Sequence, residues 1–315
     1  MDLGKIAVVF PGQGSQYVGM GQEFYHRFAT AKNVFNNADE ILGFSLSKII
    51  FDGPEDELKL TYNTQPAILV TSMAIWSVLK EETGITPSFT AGHSLGEYSA
   101  LVAADSISYD NAVQIVRKRG QYMEEAVPNG EGSMAAVMGI EREQLEMLCK
   151  EITKQGFSVQ LANINAPNQI VISGSTKGVE LASDQAKKKG ARRVIALSVS
   201  GPFHSKLMQP AGDSLKTLID RTPIKQAEIP VVMNVNAKPE NDVIKIKKNL
   251  IEQVVSPVLW ADSIERMVKE GVDTFLEIGP GKVLTGLIKK INRNVKTYTV
   301  DDYETLMLFK EEYMK

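Results

Sequence analysis

Short, almost wholly apolar runs of about five residues recur along this chain, and between them apolar positions return every third or fourth residue. The first pattern is that of strands buried on both faces, the second that of amphipathic helices. Strands are predicted at residues 5–10, 88–92, 229–235, 274–278 and 295–300. Their alternation with helical segments implies a mainly parallel sheet with helices on both sides, an α/β-hydrolase-like core. Between residues 130 and 200 the rhythm changes. Strand 133–139, helix 141–155, strands 159–165 and 169–173 around Ala166-Pro167-Asn168, helix 177–189 and strand 192–197 follow in turn. That βαββαβ order predicts a ferredoxin-like small domain, residues 130–199, inserted into a core made of residues 1–129 and 200–315. A cleft is expected where the two meet.

Composition narrows the function without naming it. The chain has 315 residues, 43% hydrophobic and 23% charged, enough for a large core without disulfides. Its single cysteine, Cys149, falls in the helical spacing Leu145, Leu148, Cys149, Ile152 and is predicted to be a buried helix-face residue in a reducing compartment. Residues 1–5 lack the apolar core of a secretory leader, and no apolar run is long enough to span a bilayer, so a cytoplasmic location is expected. A formal net charge of −3 argues against nucleic-acid binding, and no metal-ligand cluster is visible. One segment departs from that balance: Lys187, Lys188, Lys189, Arg192 and Arg193 place five positive charges in seven residues. A helix C-terminus accounts for most of the run, and an acidic partner is the alternative.

Candidate chemistry centres on Gly92-His93-Ser94-Leu95-Gly96, which fits the Gly-x-Ser-x-Gly nucleophile elbow between a predicted strand and the helix-forming run 97–104. The glycines suit a turn too tight for side chains on either side of the serine. Read otherwise, it is an ordinary strand-to-helix turn. A serine nucleophile needs a base, and three histidines are available. His93 is adjacent to Ser94 and leaves the chain on the opposite side; His26 lies on a polar helix face; His204, in Gly201-Pro202-Phe203-His204-Ser205, remains. In the predicted helix 109–127, with Ser108 as N-cap, Ala112, Val113, Ile115, Val116, Tyr122, Met123, Ala126 and Val127 form one stripe at about 100° per residue. Arg117 and Lys118 fall on the solvent side, whereas Arg119 lies inside the stripe. A guanidinium aimed at the core needs an anion, either a buried Asp or Glu or a substrate carboxylate. The glycine turns at Gly12-Gln13-Gly14 and Gly279-Pro280-Gly281 miss the dinucleotide and P-loop patterns.

Taken with Phe10-Pro11-Gly12-Gln13-Gly14-Ser15-Gln16, Asn63-Thr64-Gln65-Pro66-Ala67, Arg119-Gly120 and Glu277-Ile278-Gly279-Pro280-Gly281-Lys282, these segments resemble the malonyl-CoA:acyl carrier protein transacylases of type II fatty acid synthesis nearly end to end. The resemblance implies Ser94 as nucleophile, His204 as base, Arg119 as the grip on the malonyl carboxylate, and the backbone N–H groups of Gln13 and Leu95 as the oxyanion hole. It puts Gln65 and Asn165 in the cleft and makes Phe203 a mark of malonyl over methylmalonyl. It also implies malonyl-CoA and acyl carrier protein as partners and no metal or redox cofactor; because such carriers are acidic, the run Lys187–Arg193 is the expected place for one to dock. One departure is that Leu259, in Ser256-Pro257-Val258-Leu259-Trp260, stands where some members have glutamine, near a carbonyl that orients the histidine. The rivals are a serine thioesterase or esterase, an acyltransferase serving a polyketide synthase, and a non-catalytic carrier-binding module; a buried arginine suits a carboxylated acyl group and sets the first apart.

Overall fold

The computed structural model describes residues 4–314, so that of the stretch 1–5 only Gly4 and Lys5 fall within it. Ten strands build two sheets. In the large one, β1 (Ile6–Phe10), β2 (Phe89–Gly92), β7 (Val231–Val232), β8 (Pro239–Glu240), β9 (Thr274–Ile278) and β10 (Lys296–Val300) lie in the order β10-β9-β1-β2-β7-β8. Every neighbouring pair is parallel except β7 with β8. Period-two alternation explains why the core strands read as continuous apolar runs. Val8, Phe10 and Leu276 pack into the helices of one face, including Thr61–Thr83, while Ala7, Val9 and Phe275 pack on Trp260, Ile264 and Leu287 of the other. Each valine, leucine, isoleucine or phenylalanine among them, fully removed from water, contributes about 1.5–3 kcal/mol.

The small sheet orders β3 (Gly132–Met138), β4 (Val159–Ala166), β5 (Gln169–Ser175) and β6 (Arg193–Ala196) as β4-β5-β3-β6, antiparallel throughout. Helices Arg142–Lys154 and Thr176–Lys188 cover one face, where Ala135, Val137, Ile170 and Ile172 meet Leu145, Leu148 and Cys149. Cys149 is buried, as its spacing predicts. The other face, through Met134, Ala136, Ala162 and Val171, is continuous with the main core. The strand expected at 229–235 shrinks to Val231–Val232, because Pro230 has no N–H to donate and the Asn234 N–H turns away to the Glu97 carboxylate. The hairpin strand β8 was not predicted; it adds an antiparallel edge to the sheet. No described helix is long and apolar enough to cross a membrane.

Candidate active site

Ser94 lies two residues beyond the end of β2 and two before the helix Gly96–Ala103, in the left-handed region at φ 51°. Two glycines permit that turn. A Cβ on Gly92 would lie 1.9 Å from the Gly96 carbonyl, and one on Gly96 would lie 2.2 Å from the Phe10 carbonyl oxygen. The nucleophile therefore sits where strand and helix backbones touch, and its strained φ is the mark of a position held by its surroundings.

His204 is also left-handed, at φ 58°, and almost wholly buried. Its Nε2 lies 2.7 Å from Ser94 Oγ, and its Nδ1 lies 2.8 Å from the Gln253 carbonyl oxygen. A carbonyl only accepts, so Nδ1 carries the hydrogen and Nε2 is left to accept from the serine hydroxyl. Burial first, then the Arg119 charge, pushes His204 down to about 3, so the imidazole is neutral near pH 7 and free to take a proton. Gln160 secures the same loop, its Nε2 donating to the His204 carbonyl at 3.1 Å. Gln253 ends the helix Val243–Gln253, and a carbonyl in the last turn has no partner within its own helix. The orienting carbonyl expected near Leu259 is thus that of Gln253, six residues before it. Leu259 instead packs against the apolar core of the small sheet.

Arg119 lies on the helix Tyr109–Glu125, which Ser108 caps through Asn111 N–H, and is 1% exposed. Nη1 donates to Gln65 Oε1 at 2.7 Å, and Nη2 donates to Gln253 Oε1 at 2.8 Å and to Ser94 Oγ at 3.1 Å. All three partners are neutral, and among the described residues no carboxylate forms an ion pair with this guanidinium. Its Nε has no hydrogen-bond partner among the described residues, and the guanidinium lies over the neutral Tyr98 ring. The buried carboxyl in the neighbourhood is that of Glu97, which burial pushes up to about 8 against the pull of the Asn234 N–H and the Arg119 charge. Lys118 is exposed as expected. Arg117 is not: half-buried, it lies over the Phe44 and Tyr62 rings and donates to the Tyr62 carbonyl and Asn63 Oδ1.

These groups enclose a cavity of about 110 Å³. Gln13, Gln65, Ser94, Leu95, Arg119, Phe203 and His204 all line it, and Met123, Leu197 and Val199 supply apolar wall. The Gln13 and Leu95 N–H groups make no hydrogen bond within the described residues. Asn165 is the exception. Its Oδ1 is taken up by His93 Nε2 at 2.8 Å, and Asn163, between two irregularities of β4, holds the cavity position instead. His93 is further occupied against Trp260, and His26 is exposed on its short helix, as expected. The sequence reading missed Asn163, Asn234, Gln253 and Glu97; only Glu97, an acid among the apolar residues of a short helix, carried a visible signal. Among the described residues no group of three or more His, Cys, Asp or Glu could hold a metal.

The family model described as acyl transferase domain matches residues 7–306. The malonyl CoA-acyl carrier protein transacylase of Bacillus subtilis is 56% identical over 306 residues, covering 97% of this chain and 96% of that protein. A crystal structure of an acyl carrier protein S-malonyltransferase from Vibrio cholerae superimposes with a TM-score of 0.94 at 43% identity, covering 97% of this chain and 99% of that one. A type II polyketide synthase acyl-carrier protein in complex with its malonyl-transacylase gives a TM-score of 0.95 at 42% identity, covering 98% of this chain and 99% of that one. With a nucleophile elbow, a neutral histidine and an unpaired arginine in one small cavity, the chain belongs to the acyl transferase family and, within it, to the malonyl CoA-acyl carrier protein transacylases.

Proposed function

We propose that this protein moves a malonyl group from malonyl-CoA to the phosphopantetheine thiol of an acyl carrier protein, through an ester on Ser94. The observation that carries the reading is the buried Arg119, paired only with neutral groups and 3.1 Å from the serine hydroxyl that His204 contacts at 2.7 Å. A desolvated guanidinium without a counter-ion is a seat for a carboxylate, and a cavity of about 110 Å³ suits a short acyl group beside it.

In the first half-reaction Ser94 Oγ attacks the thioester carbon while its proton passes to His204 Nε2. The oxygen of the tetrahedral adduct is held by the Gln13 and Leu95 N–H groups at the N-terminus of the helix Gly96–Ala103. The carbon–sulfur bond then breaks, and the CoA sulfur leaves with the proton from His204. In the second half-reaction the carrier thiol gives its proton to His204 and attacks the malonyl ester, and Ser94 recovers its hydrogen as the new thioester forms. Kinetics are ping-pong, and neither half consumes electrons or calls for a Lewis acid. The exposed run Lys187, Lys188, Lys189, Arg192 and Arg193 is the proposed dock for the acidic carrier, residues 130–199 the proposed inserted subdomain, and the cytoplasm the proposed location.

Intact-mass measurement after mixing with malonyl-CoA tests this. A single malonyl adduct is expected, absent in Ser94→Ala and discharged by a phosphopantetheinylated carrier protein. An adduct of undiminished yield in Ser94→Ala removes the serine from the mechanism, and one that water clears as fast as the carrier does makes the protein a thioesterase.

A further inference from the structure

Two buried carboxamides that no step above uses hold the two peptides on either side of Ser94. Asn234 Oδ1 accepts from the Ser94 N–H at 2.8 Å, while its Nδ2 donates to the Gly92 carbonyl at 2.7 Å. Gln253 Nε2 donates to the Ser94 carbonyl at 2.9 Å and to Asn234 Oδ1 at 3.3 Å, while its Oε1 accepts from Arg119. The orientation of both amides follows from their partners, since an N–H and a guanidinium only donate and a carbonyl only accepts. Both residues are fully buried.

The Ser94 carbonyl and the Leu95 N–H belong to one peptide unit, and in a trans peptide they point to opposite sides. Whatever grips the carbonyl therefore aims the N–H. The Glu97 N–H also reaches this carbonyl, at 3.1 Å, but it belongs to the same turn and moves with it. Gln253 is anchored on a separate helix. We infer that Gln253 is a positioning residue for acyl transfer, its side-chain amide aiming the Leu95 N–H into the cavity by holding the far end of the same peptide. The inference rests on Ser94 as nucleophile and Leu95 as an oxyanion donor. It is separate from the service of the Gln253 main-chain carbonyl to His204, which any side chain at that position would preserve.

Gln253→Met keeps the length of the side chain and the main-chain carbonyl but loses the contacts to both Ser94 and Arg119. The informative background is Arg119→Ala with acetyl-CoA as donor, which takes the guanidinium out of the comparison. Adding Gln253→Met there is expected to slow single-turnover acetylation of Ser94 at least about tenfold, part of the roughly 10²–10³ that a lost oxyanion donor costs. The half-saturating acetyl-CoA concentration and the pH profile should stay where they were. An undiminished rate in the folded double variant assigns Gln253 to Arg119 alone and overturns the inference. A displaced pH profile overturns it too, because the effect then runs through His204. If the methionine variant does not fold, Gln253→Glu in the Arg119-containing enzyme replaces it. Ionised beside Arg119, that carboxylate accepts from the guanidinium but cannot donate to the Ser94 carbonyl, and the same slowing is expected, a normal acetylation rate being the contrary result. Adduct formation in Ser94→Ala would instead bring down the underlying reading, so the two failures are distinguishable.

Discussion

At the scale of single residues, Arg119 decides which acyl group is carried. Arg119→Ala removes the carboxylate's partner and leaves Met123 and other apolar wall, so malonyl transfer should fall by several kcal/mol in transition-state terms while acetyl transfer is kept or improved. The charge also depresses His204, so the acid limb of acetyl transfer should move to higher pH in the variant. Rates for both acyl-CoAs across pH check this, and a parallel fall for the two would make Arg119 a structural group. Glu97 gives a stability prediction. It holds its proton up to about pH 8 in the folded protein against 4.5 as a free group, so folding takes up a proton in that window and stability falls as pH rises through it. His204, held at about 3 against 6.5, acts oppositely, with stability rising over that lower window. Above 6.5 only the Glu97 contribution of the two remains. Glu97→Gln should therefore flatten the decline between pH 6.5 and 8 by at most about 1.4 kcal/mol per pH unit, read from urea midpoints. An unchanged slope would show that Glu97 is already ionised at neutral pH. Ser94, His204 and Arg119 are legible in the sequence because each is a rare chemical type in an informative place: a serine between glycines, the one histidine left by elimination, a charge in an apolar stripe. Gln253 is not, because it serves His204 through a carbonyl that every residue possesses, so the sequence could place the orienting carbonyl near Leu259 but not say which residue supplies it.

At the scale of elements, the parallel strands are legible where both faces are buried and the apolar run is unbroken, as in β1 and β9. Prediction fails where a strand ends for tertiary reasons. Asn234 leaves the ladder because its N–H is claimed by Glu97 across the sheet and its side chain by the elbow, and neither partner is near it in sequence. Asn163 lines the cavity where the resemblance named Asn165, and the irregularities of β4 on either side of Asn163 break the two-residue period that would otherwise tell which asparagine faces in. The tightest joint between elements is the one beneath Ser94. Gly96→Ala would drive a methyl group into the Phe10 and Pro11 carbonyls, 2.2 and 2.8 Å away, and neither backbone can retreat without parting β1 from β2. Acylation should be lost together with a fall of several degrees in Tm; a variant of normal Tm and normal rate would show that the strand–helix joint is plastic.

At the scale of the whole molecule, the cavity lies where the two sheets share one apolar core, and its walls come from both. Arg193, the last charge of the basic run, opens β6, and Leu197, just beyond the other end of that strand, lines the cavity. A carrier docked at the Arg193 end of the proposed run would stand about one short strand, on the order of 13 Å, from the cavity wall at Leu197. Reversing Lys187, Lys188 and Lys189 to Glu should weaken transfer to the protein carrier more than transfer to free pantetheine, and the gap should close as salt is raised. Equal losses for both acceptors would return the run to its plainer part as a solvated helix end.

Cys149 bears on how such an enzyme is watched at work. Every turnover passes through free thiols, yet the only thiol of the chain lies buried against the small sheet, where burial and the nearby Glu146 push it up to about 12. Hardly any thiolate exists at assay pH to join CoA or pantetheine in a mixed disulfide, so the protein should turn over without added reductant. A coloured disulfide reagent added to the native enzyme should stay colourless until malonyl-CoA arrives, and should then report one released CoA for each Ser94 acylated; colour before substrate would place Cys149 within reach of solvent.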